Sequence, residues 1–353
     1  MAILYSPPVI QDAIHTMNRL GASGTPFLCL IDVENRYPQV WPISELNAAS
    51  IRFQTPLGGF PVSEPDDQSP GTDGSQTPAH AVPHLSIKQP LCRHRYRQGF
   101  HIIQDGLRRG DSFLANLTFP VDIETDASLL QIYQAAHAPY RLWLRGRCTV
   151  FSPEPFVMID SRGMIATFPM KGTIAADLPD ARTKLLLNPK EAAEHLTVVD
   201  LLRNDLGRIG RGVQVQRYRY IERIHSPTGD ILQASSEIRA DLGTAWRSRI
   251  GDLLYELLPA GSITGAPKCR TMELIAEAEQ EPRGYYTGII GYFDGDGFTS
   301  GVMIRFIEQC SGGLPGGKAL PGLRFRTGGG ITIYSREEEE YDELHAKIRI
   351  PVR

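Results

Sequence analysis

Two short acidic patterns, far apart in the chain, have the residue types and spacing to hold a metal ion. The first is Asn188 to Asp205, NPKEAAEHLTVVDLLRND. Asn188 is a good N-cap, Pro189 suits the first helical position, and Glu191 stands where a capping-box acid reaches back. Glu191, Glu194, His195, Val198, Leu202 and Asp205 recur three or four residues apart, so they share one helix face. Carboxylates on a face that also buries Val and Leu are costly unless positive charge meets them. Capping by Glu191 and a solvated edge at Glu194 satisfy the same spacing.

The second pattern is Ser335 to Lys347, SREEEEYDELHAK. Ser335 with Glu338 is another capping-box signature and predicts a helix from Arg336. Glu340 and Glu343 share a side with Leu344 and Lys347. Acids in a first turn favour the helix dipole, and Glu343 with Lys347 is an ordinary i,i+4 pair. Two Glu-x-x-Glu pairs on two helices can still converge on one divalent cation. Magnesium takes a few carboxylates together with water and substrate oxygens.

Three further stretches carry possible chemistry. GSITGAPK, Gly261 to Lys268, puts small residues ahead of a helix start, where backbone amides and Lys268 would attract an anion; a tight glycine-rich turn is the plain alternative. Its spacing is not that of a phosphate loop. TGGGIT, Thr327 to Thr332, either lets a ligand approach the backbone or forms a bulge. Lys171, in FPMKGT, either snorkels to solvent or, if desolvated, serves as a nucleophile or base. Glu154, in FSPEPF, reads as a turn acid. The nine histidines show no metal spacing, and no nucleophile elbow is present.

The elements that would position these residues are legible as patterns. A short helix precedes the buried-strand run GTPFLCLIDVE. Tyr96 to Arg109 predicts a helix, SFLANLTFPVDI a strand, and Leu129 to Ala136 a helix. RLWLRGRCTVFSPEPFVMID and GMIATFPMKGTI read as neighbouring strands. GVQVQRYRYIERI and DILQASSEIRADL alternate like antiparallel strands. Trp246 to Leu258 predicts a helix, YYTGIIGYFDGDGFTSGVMIRFIEQ a hairpin turning at Gly-Asp-Gly, and LRFRTGGGITIYS a last strand. Strands in runs with irregularly interspersed helices predict an α+β fold with large antiparallel sheets. Residues 1–57 are expected to contribute strands as a short N-terminal segment, 58–93 to be a polar loop or linker, and 94–353 to form the main domain.

The chain has 353 residues, 41% hydrophobic and 22% charged, with a net charge of -3. This is globular composition without a basic surface for nucleic acid. No apolar run approaches the roughly 18 residues of a membrane span, so a soluble, cytoplasmic protein without membrane partners is expected. Five scattered cysteines, Cys29, Cys92, Cys148, Cys269 and Cys310, lack CxxC spacing and read as reduced thiols.

From about Tyr96 to Lys347 the motifs SPEPF, MKGT, EHLTVVDLLRNDLG, SSEI, GSITGAPK, YYTGIIGY, MIRF, GGGIT and EEYDELHAK follow one another in an order that resembles the chorismate-binding enzymes. That family includes the large subunits of anthranilate and aminodeoxychorismate synthase and the isochorismate and salicylate synthases. The resemblance implies sheets packed face to face with helices outside. It also implies that Glu191, Glu194, Glu340 and Glu343 hold magnesium, with Glu194 and Glu343 in direct contact. The ion would bind the ring carboxylate of chorismate beside the amides of Gly328, Gly329 and Gly330. Arg305 and Tyr286 match residues that grip the enolpyruvyl carboxylate, Lys347 another positive contact, and Thr173 and Thr264 substrate-contacting threonines. Glu154 matches the general acid for the 4-hydroxyl. Magnesium would locally reverse the sign of four glutamates toward a dianion, and the arginine fork suits a carboxylate.

Lys171 stands where aminodeoxychorismate synthases carry lysine and anthranilate and isochorismate synthases usually carry alanine. Leu114 stands where water-adding members carry a base lysine. The resemblance within the family is therefore to the aminodeoxychorismate synthases, with ammonia from a separate glutamine amidotransferase (glutaminase) subunit. The chain departs from the family at Gln233, often histidine, at MIRF, and in a glycine-rich stretch from Ser311 to Pro321. It also lacks the Leu-Leu-Glu-Ser motif of a tryptophan pocket.

Overall fold

The burial of two strands near the N-terminus shows how the layers are arranged. In FLCLI, Phe27 to Ile31, every residue is buried. Phe27, Cys29 and Ile31 pack into one apolar cluster and Leu28 and Leu30 into another. A strand covered on both faces must lie between two layers. In IRFQT, Ile51 to Thr55, buried and half-exposed residues alternate instead, as expected when a strand's second face is wet.

The computed structural model describes residues 7–61, 83–224, 229–310 and 322–351. In chain order the first third comprises α1 (Pro7–Ala22), β1 (Phe27–Ile31), β2 (Gln39–Pro42), β3 (Ile51–Thr55), β4 (Gly58–Phe60), β5 (Leu85–Gln89), α2 (Arg93–Arg109), β6 (Leu114–Thr125) and α3 (Leu129–Ala135). The middle comprises β7 (Tyr140–Leu144), β8 (Cys148–Ser152), β9 (Pro155–Ile159), β10 (Met164–Thr167), β11 (Met170–Ala175), α4 (Ala181–Leu187), α5 (Pro189–Ile209), β12 (Arg211–Ile224) and β13 (Ile231–Asp241). The remainder comprises α6 (Ile250–Leu257), α7 (Gly261–Thr264), β14 (Gly265–Ala266), α8 (Lys268–Glu279), β15 (Ile289–Phe293), β16 (Phe298–Val302), β17 (Phe306–Gln309), β18 (Leu323–Ile331) and α9 (Glu337–Ala346).

The first sheet runs β12, β13, then β11 and β10 end to end, then β9, β16, β15, β1 and β2. The second runs β4, β3, β7, β8, β17, β18 and β6, with β5 and β14 on the far edge of β6. All pairings given for these sheets are antiparallel. The sheets face each other across Leu28, Leu30, Phe53, Tyr140, Leu142, Val150 and Ile290. Helices α1, α5 and α6 cover the outside of the first sheet, and α2, α8, α9 and α3 that of the second. This is the predicted α+β class. The N-terminal strands enter both sheets, β1 and β2 one, β3 and β4 the other.

Two expectations change in detail. The helix expected from Trp246 to Leu258 begins as a 3-10 turn over Trp246–Arg249 before α6. The expected loop 58–93 is not all loop, since its ends form β4 and β5 in the second sheet; its residues 62–82 and the glycine-rich stretch 311–321 lie outside the described residues.

Candidate active site

The site is built where β11 meets β18. In the β11–β13 ladder Met170 faces Ser235 and Thr173 faces Gln233, so three steps on one strand match two on the other. The extra residue is a β-bulge at Lys171–Gly172, a device that re-aims side chains. Gly172 has φ +88°, and a Cβ there would lie 3.0 Å from Glu191 Oε2 and 3.1 Å from Leu185 Cδ1. Both the backbone and the close approach of α5 therefore call for glycine. Thus re-aimed, Lys171 is half-buried and its Nζ lies 3.2 Å from where a Cβ on Gly330 would stand. Leu114 Cδ1 lies 3.3 Å from the same point. Lys171 makes no side-chain hydrogen bond or ion pair among the described residues.

The acids of the two helices approach this region on different strands, Glu340 of α9 at Gly329 on β18 and Glu191 of α5 at Gly172 on β11. On α5, Asn188 Oδ1 accepts the Glu191 N–H at 3.2 Å, the predicted cap. Along the same face His195 is fully buried with its Nε2 2.7 Å from Ser236 Oγ, while Val198, Leu202 and Asp205 are buried. Glu191 and Glu194 are half-buried at the N-terminal end of that face. Burial draws His195 down to about 4, helped by the nearby Arg219, so the ring is neutral.

On α9 the acids divide. Glu337 and Glu338 turn to α2, meeting Arg97 at 2.9 Å and Arg93 at 3.9 Å. Glu340 and Glu343 turn the other way. Glu340 Oε2 is 3.5 Å and Lys347 Nζ 3.6 Å from a Cβ position on Gly329. Lys347 donates to Gly328 O at 2.8 Å and pairs with Glu343 at 2.7 Å. The capping box expected at Ser335 does not form. The helix starts at Glu337 with Arg336 as its uncapped N-cap position. Ser335 Oγ accepts Thr332 N–H at 3.1 Å and donates to Glu340 at 2.7 Å, which holds Glu340 toward the strip.

Arg305, at φ +53° just before β17, donates through Nη1 to Lys347 O. Burial holds the guanidinium below its ordinary value and Arg349 adds to this, opposed by Tyr286 and Glu343. It makes no ion pair among the described residues, and a desolvated cation beside another cation favours an incoming anion. Tyr286 is buried against Phe306, ring centroids 5.9 Å apart, and burial pushes its hydroxyl far up.

The other expected residues lie on adjoining elements. Thr173 is exposed on β11, two residues past Lys171. Thr264 is buried with its hydroxyl on Ala260 O at 3.0 Å, one residue before the β14 pairing with β6. Glu154 is half-buried where the chain passes from β8 to β9, its carbonyl accepting Val302 N–H at 3.0 Å. Lys268 is not a free anion ligand. It pairs with Asp205 at 2.8 Å and donates to Leu257 O at 2.6 Å, tying α8 to α5. Burial pushes both groups toward neutrality, Asp205 up and Lys268 down.

Among the described residues no three carboxylate, histidine or cysteine groups gather as a metal centre. The four glutamates offer only oxygen donors, which suits a hard divalent cation. Glu340 of α9 lies against Gly329 of the strip, and Glu191 of α5 lies against Gly172, next to Lys171 on β11. Sequence reasoning missed Glu279 and Arg283, a fully buried pair behind the strip. Their i,i+4 spacing across a helix end resembles any surface pair, and only the Arg-Gly turn that follows hints at more.

Two large antiparallel sheets packed face to face with helices outside are the architecture of the chorismate-utilising enzymes. The chain belongs to the chorismate-binding enzyme family, which it matches over residues 62–353. A protein of Pasteurella multocida described as an uncharacterized PabA-like protein is 44% identical over 339 residues, 96% of this chain and 98% of that one. The Escherichia coli aminodeoxychorismate synthase component 1 is 35% identical over 275 residues, 73% of this chain and 57% of that one. Among solved structures, a putative 2,3-dihydroxybenzoate-specific isochorismate synthase from Bacillus anthracis aligns with a TM-score of 0.64 over 97% of this chain and 87% of that one. At 18% identity it speaks for the fold alone.

Proposed function

We propose that this protein is an aminodeoxychorismate synthase component I, converting chorismate and ammonia to 4-amino-4-deoxychorismate for 4-aminobenzoate and folate synthesis. One observation carries the reading: the Lys171 amine and the Leu114 side chain meet over Gly330. A nucleophilic amine faces the strip, and an apolar side chain occupies the place of a water-activating base. Arg305 and Tyr286 would take the enolpyruvyl carboxylate, and the amides of Gly328, Gly329 and Gly330 with Lys347 the ring carboxylate. Thr173 and Thr264 would border the ring. Glu191, Glu194, Glu340 and Glu343 would hold magnesium, which supplies charge neutralisation and polarisation at the ring carboxylate. Because Glu343 and Glu340 are engaged by Lys347 and Ser335, holding the ion requires an exchange of partners.

In the reaction the Lys171 amine forms a bond to ring carbon 2 through its nitrogen lone pair, and both conjugated ring double bonds move one position toward carbon 4. The carbon 4–oxygen bond breaks as Glu154 donates its proton, releasing water. Ammonia then bonds to carbon 4, both ring double bonds return, and Lys171 leaves with its electron pair. The new ammonium gives its extra proton back to Glu154. Ammonia comes from a glutamine amidotransferase subunit, and ammonium salts replace it in vitro. The test is to incubate the protein with chorismate, magnesium and ammonium and to identify the product by mass. Aminodeoxychorismate supports the reading; anthranilate with pyruvate release, isochorismate, or tight binding without turnover refutes it.

A further inference from the structure

We propose that the buried pair Glu279–Arg283 is a positioning device that holds the glycine strip and the Tyr286 turn in register for the substrate; its substrate clause rests on the function proposed above. Strand β6 is paired on one edge with β18 from Ala115 to Ile123. On its other edge β14 covers Leu114 and Ala115, and β5 covers Asp122 to Thr125. Between them no described strand partners β6, and the ion pair takes that place. Glu279 Oε1 accepts the Thr118 N–H at 2.8 Å and the Thr118 hydroxyl at 3.0 Å. Arg283 Nη2 donates to Asn116 O at 2.5 Å. Side chains thus supply an acceptor and a donor where a neighbouring strand would supply carbonyl and amide.

Those two anchor points lie directly behind the strip, since Asn116 registers with Gly330 and Thr118 with Gly328. The same arginine reaches forward. Its Nη1 is 3.3 Å from Thr287 Oγ1. Its backbone N–H and that of Gly284 donate to Glu34 at 2.7 and 2.9 Å. This fixes the turn that carries Tyr286. The two side chains are only 2% and 3% exposed and bidentate, with Arg283 Nε 2.8 Å from Glu279 Oε2. A buried pair of this kind adds little stability over apolar residues of the same size; what it does add here is fixed direction at both ends.

The test uses the full chain with Glu279→Gln, Arg283→Lys and the milder Thr118→Val, each studied well below its own Tm with folding verified by near-UV circular dichroism. Hydrogen exchange read by mass spectrometry is expected to accelerate about tenfold in peptides 114–119 and 325–332 of Glu279→Gln, and to stay unchanged at 140–151. Chorismate KM should rise about tenfold while kcat stays within about threefold. Thr118→Val should show a smaller shift in the same peptides. Unchanged exchange at the strip, or faster exchange with unchanged chorismate affinity, overturns the inference, because a merely stabilising pair lowers Tm alone. A wild-type protein that fails to bind chorismate sinks the functional reading instead, and the exchange measurement still decides what the pair does.

Discussion

Replacing Gly329 by alanine tests whether a ligand lies against the strip's backbone. Gly329 has no positive φ, so alanine is allowed there. Its new methyl would stand 3.5 Å from Glu340 Oε2 and 3.6 Å from Lys347 Nζ, ordinary contact distances. Stability should therefore move by no more than about 0.5 kcal/mol. If a substrate carboxylate accepts a hydrogen bond from this amide, the methyl crowds it out. Losing one bond to a charged acceptor costs about 1.5–3 kcal/mol, or roughly 10- to 150-fold in affinity. Gly328→Ala is the internal control, since its methyl would lie 2.4 Å from Leu117 O and 2.8 Å from Thr118 Cα. Backbone cannot yield as a flexible side chain does, so about 1–3 kcal/mol of stability should be lost. Thermal denaturation reads stability, and calorimetric titration of chorismate with magnesium reads binding. A Gly329→Ala protein that binds chorismate within about twofold of wild type would refute a ligand at that backbone. A Gly328→Ala protein as stable as Gly329→Ala would refute the strip geometry.

Lys171→Ala should lose aminodeoxychorismate formation by about a thousandfold or more while still binding chorismate, since a nucleophile and not a grip is removed. Product formation by mass spectrometry checks it. Chelation should abolish turnover and added magnesium restore it, and Glu343→Gln should raise the magnesium concentration for half-maximal rate by about tenfold or more. Asp205→Asn leaves Lys268 buried without its partner, so stability should fall by about 3–5 kcal/mol in thermal melts. Burial pushes the Cys29 and Cys148 thiols up to about 12, which keeps them protonated at pH 8. Iodoacetamide should therefore label exposed Cys92 and Cys269 first and reach Cys29 and Cys148 only on unfolding, as peptide mapping would show.

Much of this fold was legible because its signals are local. The Asn188 cap and the three-four spacing after it gave α5 its buried face, and alternation gave β12 and β13 as an antiparallel pair. The second acidic helix shows the limit. Ser335 and Glu338 have capping-box spacing, but Ser335 is taken by the Thr332 turn and by Glu340. Likewise a run of four glutamates carries no mark that its first two members face α2 and its last faces the glycines. Lys268 looked like an anion ligand because Asp205, 63 positions earlier in the numbering, gives no local sign of being its partner. The bulge that aims Lys171 depends on the register between β11 and β13, and neither strand's pattern specifies that alone.

Among the described residues strand β12 closes the first sheet with a long open margin, the kind of template on which chains stack into aggregates. Its pairing slips between Arg211 and Gln214, between Val215 and Arg217, and between Arg217 and Tyr220. Arg219 adopts φ +47°, and Arg217 folds over the Tyr220 ring at 3.6 Å. A second molecule offering a regular strand would find no continuous row of amides and carbonyls to match. The protein can thus end a broad sheet in water without inviting polymerisation, and straightening those kinks should be the quickest way to make it precipitate.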